Sequence, residues 1–170
     1  MCIRDSPATV LRPGKSPIAL RVRFDDGSGF DLTEAGTKKS LAAYIVGDVT
    51  AVPRIVSLGP DPLGDDFTLE VLSQIAASHR MQVKGMLRDQ SIIAGVGNAY
   101  SDEVLHVAKL SPFALAANMS PDEVERLYAA LRGTLAAAHA TASGNPAKEH
   151  KDAKRAGLGA HGRTGEDCPQ

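Results

Sequence analysis

A glycine-rich turn carries the residues of this chain that are best arranged for chemistry. An apolar run ends in Gly95-Val96-Gly97-Asn98, and the residues that follow favour a helix. The glycines allow unusual backbone angles and a close approach to a partner. The free N–H groups and positive dipole end of the helix suit an anion such as phosphate, and the Asn98 amide adds a further donor. The pattern therefore predicts a phosphate-binding turn.

The same turn has a purely structural interpretation. A Gly-x-Gly pair is a weak signal, because a dinucleotide-binding fingerprint needs a third glycine, and Ser101 and Asp102 lie near that place. A turn between two helices, with Asn98 as the N-cap, accounts for the local residues about as well. The local pattern leaves both interpretations open.

The elements around the turn differ on the two sides of a proline- and glycine-rich segment at 59–66. Before it, residues 18–25 read as a strand, 26–29 as a turn, and Phe30 begins a return strand. Residues 41–46 are a third strand candidate. Three strands leave open edges, so this sheet is predicted to be incomplete.

Beyond the segment the apolar period becomes helical, with Thr68 or Asp66 as a cap for the first helix. Ser120 and Glu123 form a capping box with Pro121 at the first helical position. The helix that begins there places four apolar residues on one face, and Gly144 is its predicted stop. These four residues are Val124, Leu127, Leu131 and Leu135.

Composition bounds the class of protein. The 170 residues include no apolar run of the roughly 18 residues that a membrane span needs. Only two cysteines are present, Cys2 and Cys168, which is no disulfide framework and fits a reducing cytoplasm. The net charge is −1, so any DNA binding must come from a local basic face.

A longer string gives the turn a context. Lys-Gly-Met-Leu-Arg-Asp-Gln at 84–90, followed by Ile-Ala-Gly-Val-Gly-Asn-Ala-Tyr-Ser-Asp-Glu at 93–103, resembles the helix–two-turn–helix segment of the formamidopyrimidine-DNA glycosylase/endonuclease VIII family of bacterial repair enzymes. The resemblance continues through 108–112 and returns at 162–169, which is similar to the start of the family's zinc finger. It covers residues 15–170, weakly before Leu58 and strongly after it.

The resemblance implies an α+β protein that is truncated at both ends. Residues 7–58 would be the C-terminal part of an N-terminal β-sheet (sandwich) domain, 59–66 a linker, and 67–144 the DNA-binding helix–two-turn–helix domain. Residues 145–170 would be a linker and the truncated start of the zinc finger, and their Gly-rich, charged composition alone predicts loose order. Residues 1–6 match the translation of a transposon-end adapter used in sequencing libraries, so we interpret them as non-native; the alternative is a natural disordered N-terminus.

The implied function is base-excision repair by a DNA glycosylase with AP-lyase activity, which acts on oxidised bases flipped out of the duplex. The family uses an N-terminal proline as the nucleophile that forms a Schiff base, with a neighbouring glutamate for proton transfer. This chain begins Met1-Cys2-Ile3, so no catalytic residue is assigned and the fragment is predicted to be inactive. The alternative functions are a non-catalytic helix–two-turn–helix module that binds nucleic acid and, least favoured, a helical interaction domain.

The family's DNA-binding positions carry over onto Asn98, Gly95, Gly97 and Lys84, although Lys84 also fits a solvated surface lysine. Arg163, before the finger, is a further candidate for a phosphate contact, with plain surface exposure as its alternative. Tyr100 and Glu103 are predicted to be packing and helix-surface residues.

Lys38 and Lys39 are also candidates for phosphate contacts, or else members of a charged loop. The family often has an arginine–x–phenylalanine loop in this domain that fills the gap left by a flipped base. The string Thr-Lys-Lys-Ser-Leu at 37–41 has no aromatic residue, which puts the damaged-base preference in doubt.

Zinc belongs to the complete protein by resemblance. A structural site needs four ligands, Cys168 matches the first of them, and His161 has no recognised zinc spacing to it, so this chain is not expected to bind the metal. The implied partner is damaged double-stranded DNA. The implied protein is a monomer without a membrane association, located in the bacterial cytoplasm at the nucleoid.

Overall fold

The computed structural model describes residues 18–34, 41–143, 157–163 and 165, together with the backbone of 2–4. Within these ranges the strands come first: β1 (Cys2–Arg4), β2 (Ile18–Arg23) and β3 (Gly29–Thr33). The α-helices of the described residues follow: α1 (Pro53–Val56), α2 (Leu69–Ser78), α3 (Val83–Arg88), α4 (Asn98–Ala108) and α5 (Pro121–Ser143). Short 3-10 turns lie at Val49–Ala51 and Ala116–Asn118.

The sheet is antiparallel, in the order β1-β3-β2. The predicted hairpin of β2 and β3 is confirmed, and its turn is held by Asp26, which accepts hydrogen bonds from the amide and hydroxyl of Ser28. Backbone pairing places β1 on the other edge of β3. Any extended segment can form such a ladder, so this pairing leaves the interpretation of residues 1–6 as a prediction.

The strand predicted at 41–46 is wrong. These residues form no regular element, and Tyr44 and Ile45 are exposed. A strand is stable only when a neighbouring strand satisfies its backbone N–H and C=O groups. The sheet in the described part of the chain offers residues 41–46 no such neighbour, so their β-branched and aromatic residues do not suffice.

The core of the molecule lies in the helical region after residue 66. Thr68 is the N-cap of α2, as predicted, and accepts a hydrogen bond from the Val71 amide. The capping box is also confirmed, since the Ser120 amide donates to Glu123 and the Glu123 amide to the Ser120 hydroxyl. The helices meet over fully buried side chains, among them Phe67, Leu72, Val83, Met86, Leu87, Ile93, Val96, Val104, Leu127 and Leu131.

The proline- and glycine-rich segment 59–66 is packed on this core. The Gly59 amide donates to the Gln90 carbonyl at 2.8 Å, and a Cβ on Gly59 would lie 2.4 Å from the Ile92 carbonyl oxygen. Arg132 of α5 donates to the carbonyls of Pro62 and Gly64, both at 3.0 Å, and to that of Phe67 at 3.3 Å. The segment therefore supports the turn that follows α3. No helix in the described ranges is long and apolar enough to cross a bilayer.

Candidate nucleic-acid interface

The glycine-rich turn is anchored in the core by its apolar residues and is exposed to solvent at its glycines and Asn98. Ile93 and Val96 are fully buried in the core, while Gly95, Gly97 and Asn98 are exposed. Apolar residues thus hold the turn in place, and the candidate phosphate-binding residues face solvent. The turn is therefore accessible to a binding partner.

Gln90 spans the turn, a role that no local pattern in the sequence indicates. Its side-chain amide donates to the Val96 carbonyl at 2.7 Å and to the Arg88 carbonyl at 3.2 Å. Its oxygen accepts the Gly95 amide at 2.9 Å. Gly95 has a φ of +83°, which favours glycine because a Cβ would be strained there. Gly95 therefore shapes the turn, and its amide is directed to Gln90.

The start of α4 supplies the donors. Gly97 is the N-cap, with extended backbone angles, and Asn98 is the first helical residue. The structural alternative with Asn98 as the N-cap is therefore wrong, and among the described residues no side chain caps this end. The first N–H groups of an α-helix lack intrahelical acceptors, and the exposed Asn98 lies at this end of α4.

Lys84 lies close to this end of α4 but is not a solvated lysine. Its ammonium forms an ion pair with Asp102 at 2.5 Å, and its side chain is 29% exposed. The second Asp102 oxygen lies 2.7 Å from Nδ1 of His161. Partial burial opposes the ionisation of Asp102, yet the hydrogen bonds from Lys84 and His161 outweigh it and lower its pKa. Any phosphate that reaches Lys84 shares it with Asp102.

Glu103 is buried, so its prediction as a helix-surface residue is wrong. It is 7% exposed, and its carboxylate accepts hydrogen bonds from the amides of Gly159, Ala160 and His161. Burial opposes its ionisation, but these backbone N–H groups lower its pKa below the ordinary value. Residues 157–163, here called the docked segment, are thereby held on α4. No local sequence pattern indicates that Glu103 has hydrogen-bond partners 56 to 58 residues away.

The remaining candidates divide between the described and undescribed parts of the chain. Arg163 is exposed at the end of the docked segment. Lys38, Lys39 and Cys168 lie outside the described residues, so their assigned roles stay predictions. Within the described ranges, no group of three or more His, Cys, Asp or Glu side chains is placed to hold a metal ion. With two cysteines in the whole chain, the residues present do not make a four-cysteine zinc site.

Comparison with known proteins places the helical region in a known domain family. A family profile described as the formamidopyrimidine-DNA glycosylase H2TH domain matches residues 58–148, more than half of the chain. The chain belongs to the formamidopyrimidine-DNA glycosylase family. An uncharacterized formamidopyrimidine-DNA glycosylase-like protein from Mycobacterium tuberculosis is 41% identical over 121 residues, which cover 71% of this chain and 75% of that protein.

Longer members of the formamidopyrimidine-DNA glycosylase family show how much of the length is shared. The Moorella thermoacetica enzyme is 32% identical over 99% of this chain and 65% of its own length. For the Herpetosiphon aurantiacus enzyme the identity is 39%, over 65% of this chain and 42% of the relative. The chain therefore spans about two fifths to two thirds of these two glycosylases.

Solved structures extend the match to the fold. The crystal structure of the MutM (Fpg) protein from Thermus thermophilus has a TM-score of 0.76 and 27% identity, and the match covers 99% of this chain and 64% of that one. The Lactococcus lactis Fpg bound to a FAPY-dG containing DNA has a TM-score of 0.74 over 100% and 63% of the two chains. Its 22% identity supports the shared fold alone.

Proposed function

We propose that the complete protein is a base-excision-repair DNA glycosylase with AP-lyase activity on oxidised bases. Within it, this chain supplies the surface that binds the DNA backbone. The observation that carries the proposal is the exposed turn at Gly97 and Asn98, which opens α4 in a chain of the formamidopyrimidine-DNA glycosylase family. The partner is damaged double-stranded DNA, and we propose a monomer in the bacterial cytoplasm.

The turn suits a phosphate for reasons of charge and geometry. The N–H groups at the start of α4 and the helix dipole both favour an anion. The Asn98 amide can donate to a phosphate oxygen that reaches this end. Contacts of this kind position a duplex without reading its sequence. Binding by this surface alone should therefore be weak, independent of sequence and sensitive to salt.

We expect no catalysis from a polypeptide of this sequence. The proposed nucleophile is an N-terminal proline amine, and the residue after Met1 is Cys2. A proline within the chain cannot replace it, because its nitrogen is an amide. The zinc finger needs three more ligands than Cys168 provides, so zinc binding is assigned to the complete protein.

A non-catalytic nucleic-acid-binding module is the alternative. The sequence favours the repair enzyme over this alternative, because residues 162–169 resemble the start of the family's zinc finger. A stand-alone module has no use for a partial finger. An upstream Met-Pro-Glu start and downstream cysteine pairs in the genomic DNA would decide for the enzyme.

Duplex binding is the first test of the proposed surface. We expect the chain to bind a short duplex with an abasic site weakly at low salt, and the logarithm of the binding constant to fall linearly with the logarithm of salt concentration. Fluorescence anisotropy measures both. Binding that is absent at low salt, or that does not respond to salt, would contradict a phosphate-binding surface.

Borohydride trapping tests the assignment of catalysis. We expect no trapped adduct between this chain and abasic-site DNA. A chain extended by the missing N-terminal proline domain and the finger should form one. A persistent adduct with the present chain, abolished by blocking Cys2, would overturn the assignment.

A further inference from the structure

Glu103 receives an unusual set of hydrogen bonds for a helix residue. Its Oε2 accepts the Gly159 amide at 2.8 Å, and its Oε1 accepts the amides of Ala160 at 2.9 Å and His161 at 2.7 Å. Three successive backbone N–H groups thus point at one carboxylate that is only 7% exposed. Hydrogen bonds to an ionised group are stronger than neutral ones.

The burial of this carboxylate explains why the docked segment has a defined position. An ionised carboxylate away from water is costly unless donors satisfy it. The amides of Gly159, Ala160 and His161 are such donors, and they satisfy Glu103 only in the arrangement that the structure has. Release of the segment would replace three charge-assisted hydrogen bonds with hydrogen bonds to water.

A second contact joins the docked segment to α4 at Asp102. His161 lies 2.7 Å from Asp102, which also pairs with Lys84 of α3. Asp102 and Asn98 are four residues apart in α4, so they share a face about 6 Å apart along the axis. His161 therefore contacts α4 about one helical turn from Asn98, and Arg163 follows His161 by two residues.

We propose that Glu103 is a positioning residue for DNA binding. It fixes residues 157–163 on α4 so that Arg163 meets the DNA backbone beside Asn98. The proposal rests on the proposed function, since it adds Arg163 as a second cation, beside Lys84, to the proposed DNA-binding surface. Glu103 itself does not touch DNA. Its contribution is to order the segment before the duplex arrives, which removes an entropic cost from binding.

Hydrogen exchange tests the docking without DNA. In the unaltered chain the amides of Gly159, Ala160 and His161 should exchange more slowly than in an unstructured peptide. Glu103→Gln should remove most of this protection, and Glu103→Asp should retain part of it. Glu125→Gln removes the same charge at an exposed position of α5, and it should leave the protection unchanged. Exchange at unstructured rates in the unaltered chain would overturn the proposal.

Duplex binding then tests the positioning role through a double-mutant cycle. Glu103→Gln and Arg163→Ala should each weaken binding about tenfold, the scale of one lost hydrogen bond to a charged group. The double variant should also lose about tenfold, because Glu103 acts through Arg163. Losses that multiply to about a hundredfold would overturn the positioning role.

Two controls distinguish a folding defect, and a failure of the proposed function, from a failure of the positioning role of Glu103. Should Glu103→Gln prevent folding, Ala160→Pro removes one donor from the other side and leaves α4 intact; it should reproduce the loss of protection and of affinity. Protected amides in a chain that binds no DNA would refute the proposed function and, with it, the role of Arg163. Unprotected amides in a chain that binds DNA would refute only the present inference.

Discussion

At the scale of single residues, some residues of the glycine-rich turn set its shape and others are placed to contact a partner. Gln90 and Gly95 set its shape through their mutual hydrogen bond, and Asn98 presents its amide to solvent. The glycines and Asn98 were identifiable from the sequence because the strings at 84–90 and 93–103 resemble the family's helix–two-turn–helix segment. Gln90 was not, because a glutamine that bonds backbone groups five and six residues away has no distinctive pattern.

Replacing Asn98 should affect binding and not folding. Asn98→Ala should weaken duplex binding by about 1–3 kcal/mol, as expected for the loss of a hydrogen bond to a charged phosphate. The side chain is exposed and makes no capping bond, so urea unfolding should be nearly unchanged. Asn118→Ala, at another exposed asparagine, is the matched control. An unchanged binding isotherm for Asn98→Ala would remove Asn98 from the site.

At the scale of elements, the segment 59–66 was predicted to be a linker, and the structure gives it a supporting role. Proline and glycine signal an irregular backbone but not where that backbone packs. The Gly59 and Arg132 hydrogen bonds join this segment to the turn after α3 and to α5. The elements on which the candidate interface rests therefore include an irregular one.

A pair of glycine substitutions should separate this packing from intrinsic helix preference. Gly59→Ala should lower the free energy of unfolding by about 1–3 kcal/mol, because its Cβ would collide with the Ile92 carbonyl. Gly133→Ala should raise it by about 0.5–1 kcal/mol, since Gly133 lies within α5 and its Cβ would meet nothing within 4 Å. Urea denaturation measures both. Equal effects of the two changes would show that segment 59–66 is not tightly packed.

At the scale of the whole molecule, carboxylates of α4 join the end of the described chain to its helical core. Lys84 and His161 face Asp102, while the three docked amides, His106 and Tyr100 lie around Glu103. Burial opposes the charge on both carboxylates, and their hydrogen bonds prevail, so both folded-state pKa values are lowered. The position of the docked segment is thereby linked to pH.

The docked segment should be released in acid. A carboxylate with a lowered pKa in the folded state contributes stability above its unfolded pKa, about 4, and loses it as the pH falls through the folded value. The amide NMR signals of Gly159 and Ala160 should therefore move to random-coil positions below about pH 4. A His161→Gln variant isolates the carboxylates from the imidazole. Movement of its signals between pH 7 and pH 5 would contradict their role.

The sequence by itself determined the elements whose signals are local. The β2–β3 hairpin, the caps of α2 and α5 and the exposed glycine turn all depend on residues within a few positions of one another, and each was predicted. The family was also identifiable, because residues 84–103 keep a long specific string.

Only the tertiary structure decided the contacts between distant segments. The backbone of residues 41–46 depends on whether a partner strand is adjacent, and the burial of Glu103 depends on amides more than fifty residues away. The pairing of Lys84 with Asp102 likewise depends on how α3 packs on α4. A residue's type fixes what it can bond to, but its partner is fixed by which segments the core brings together.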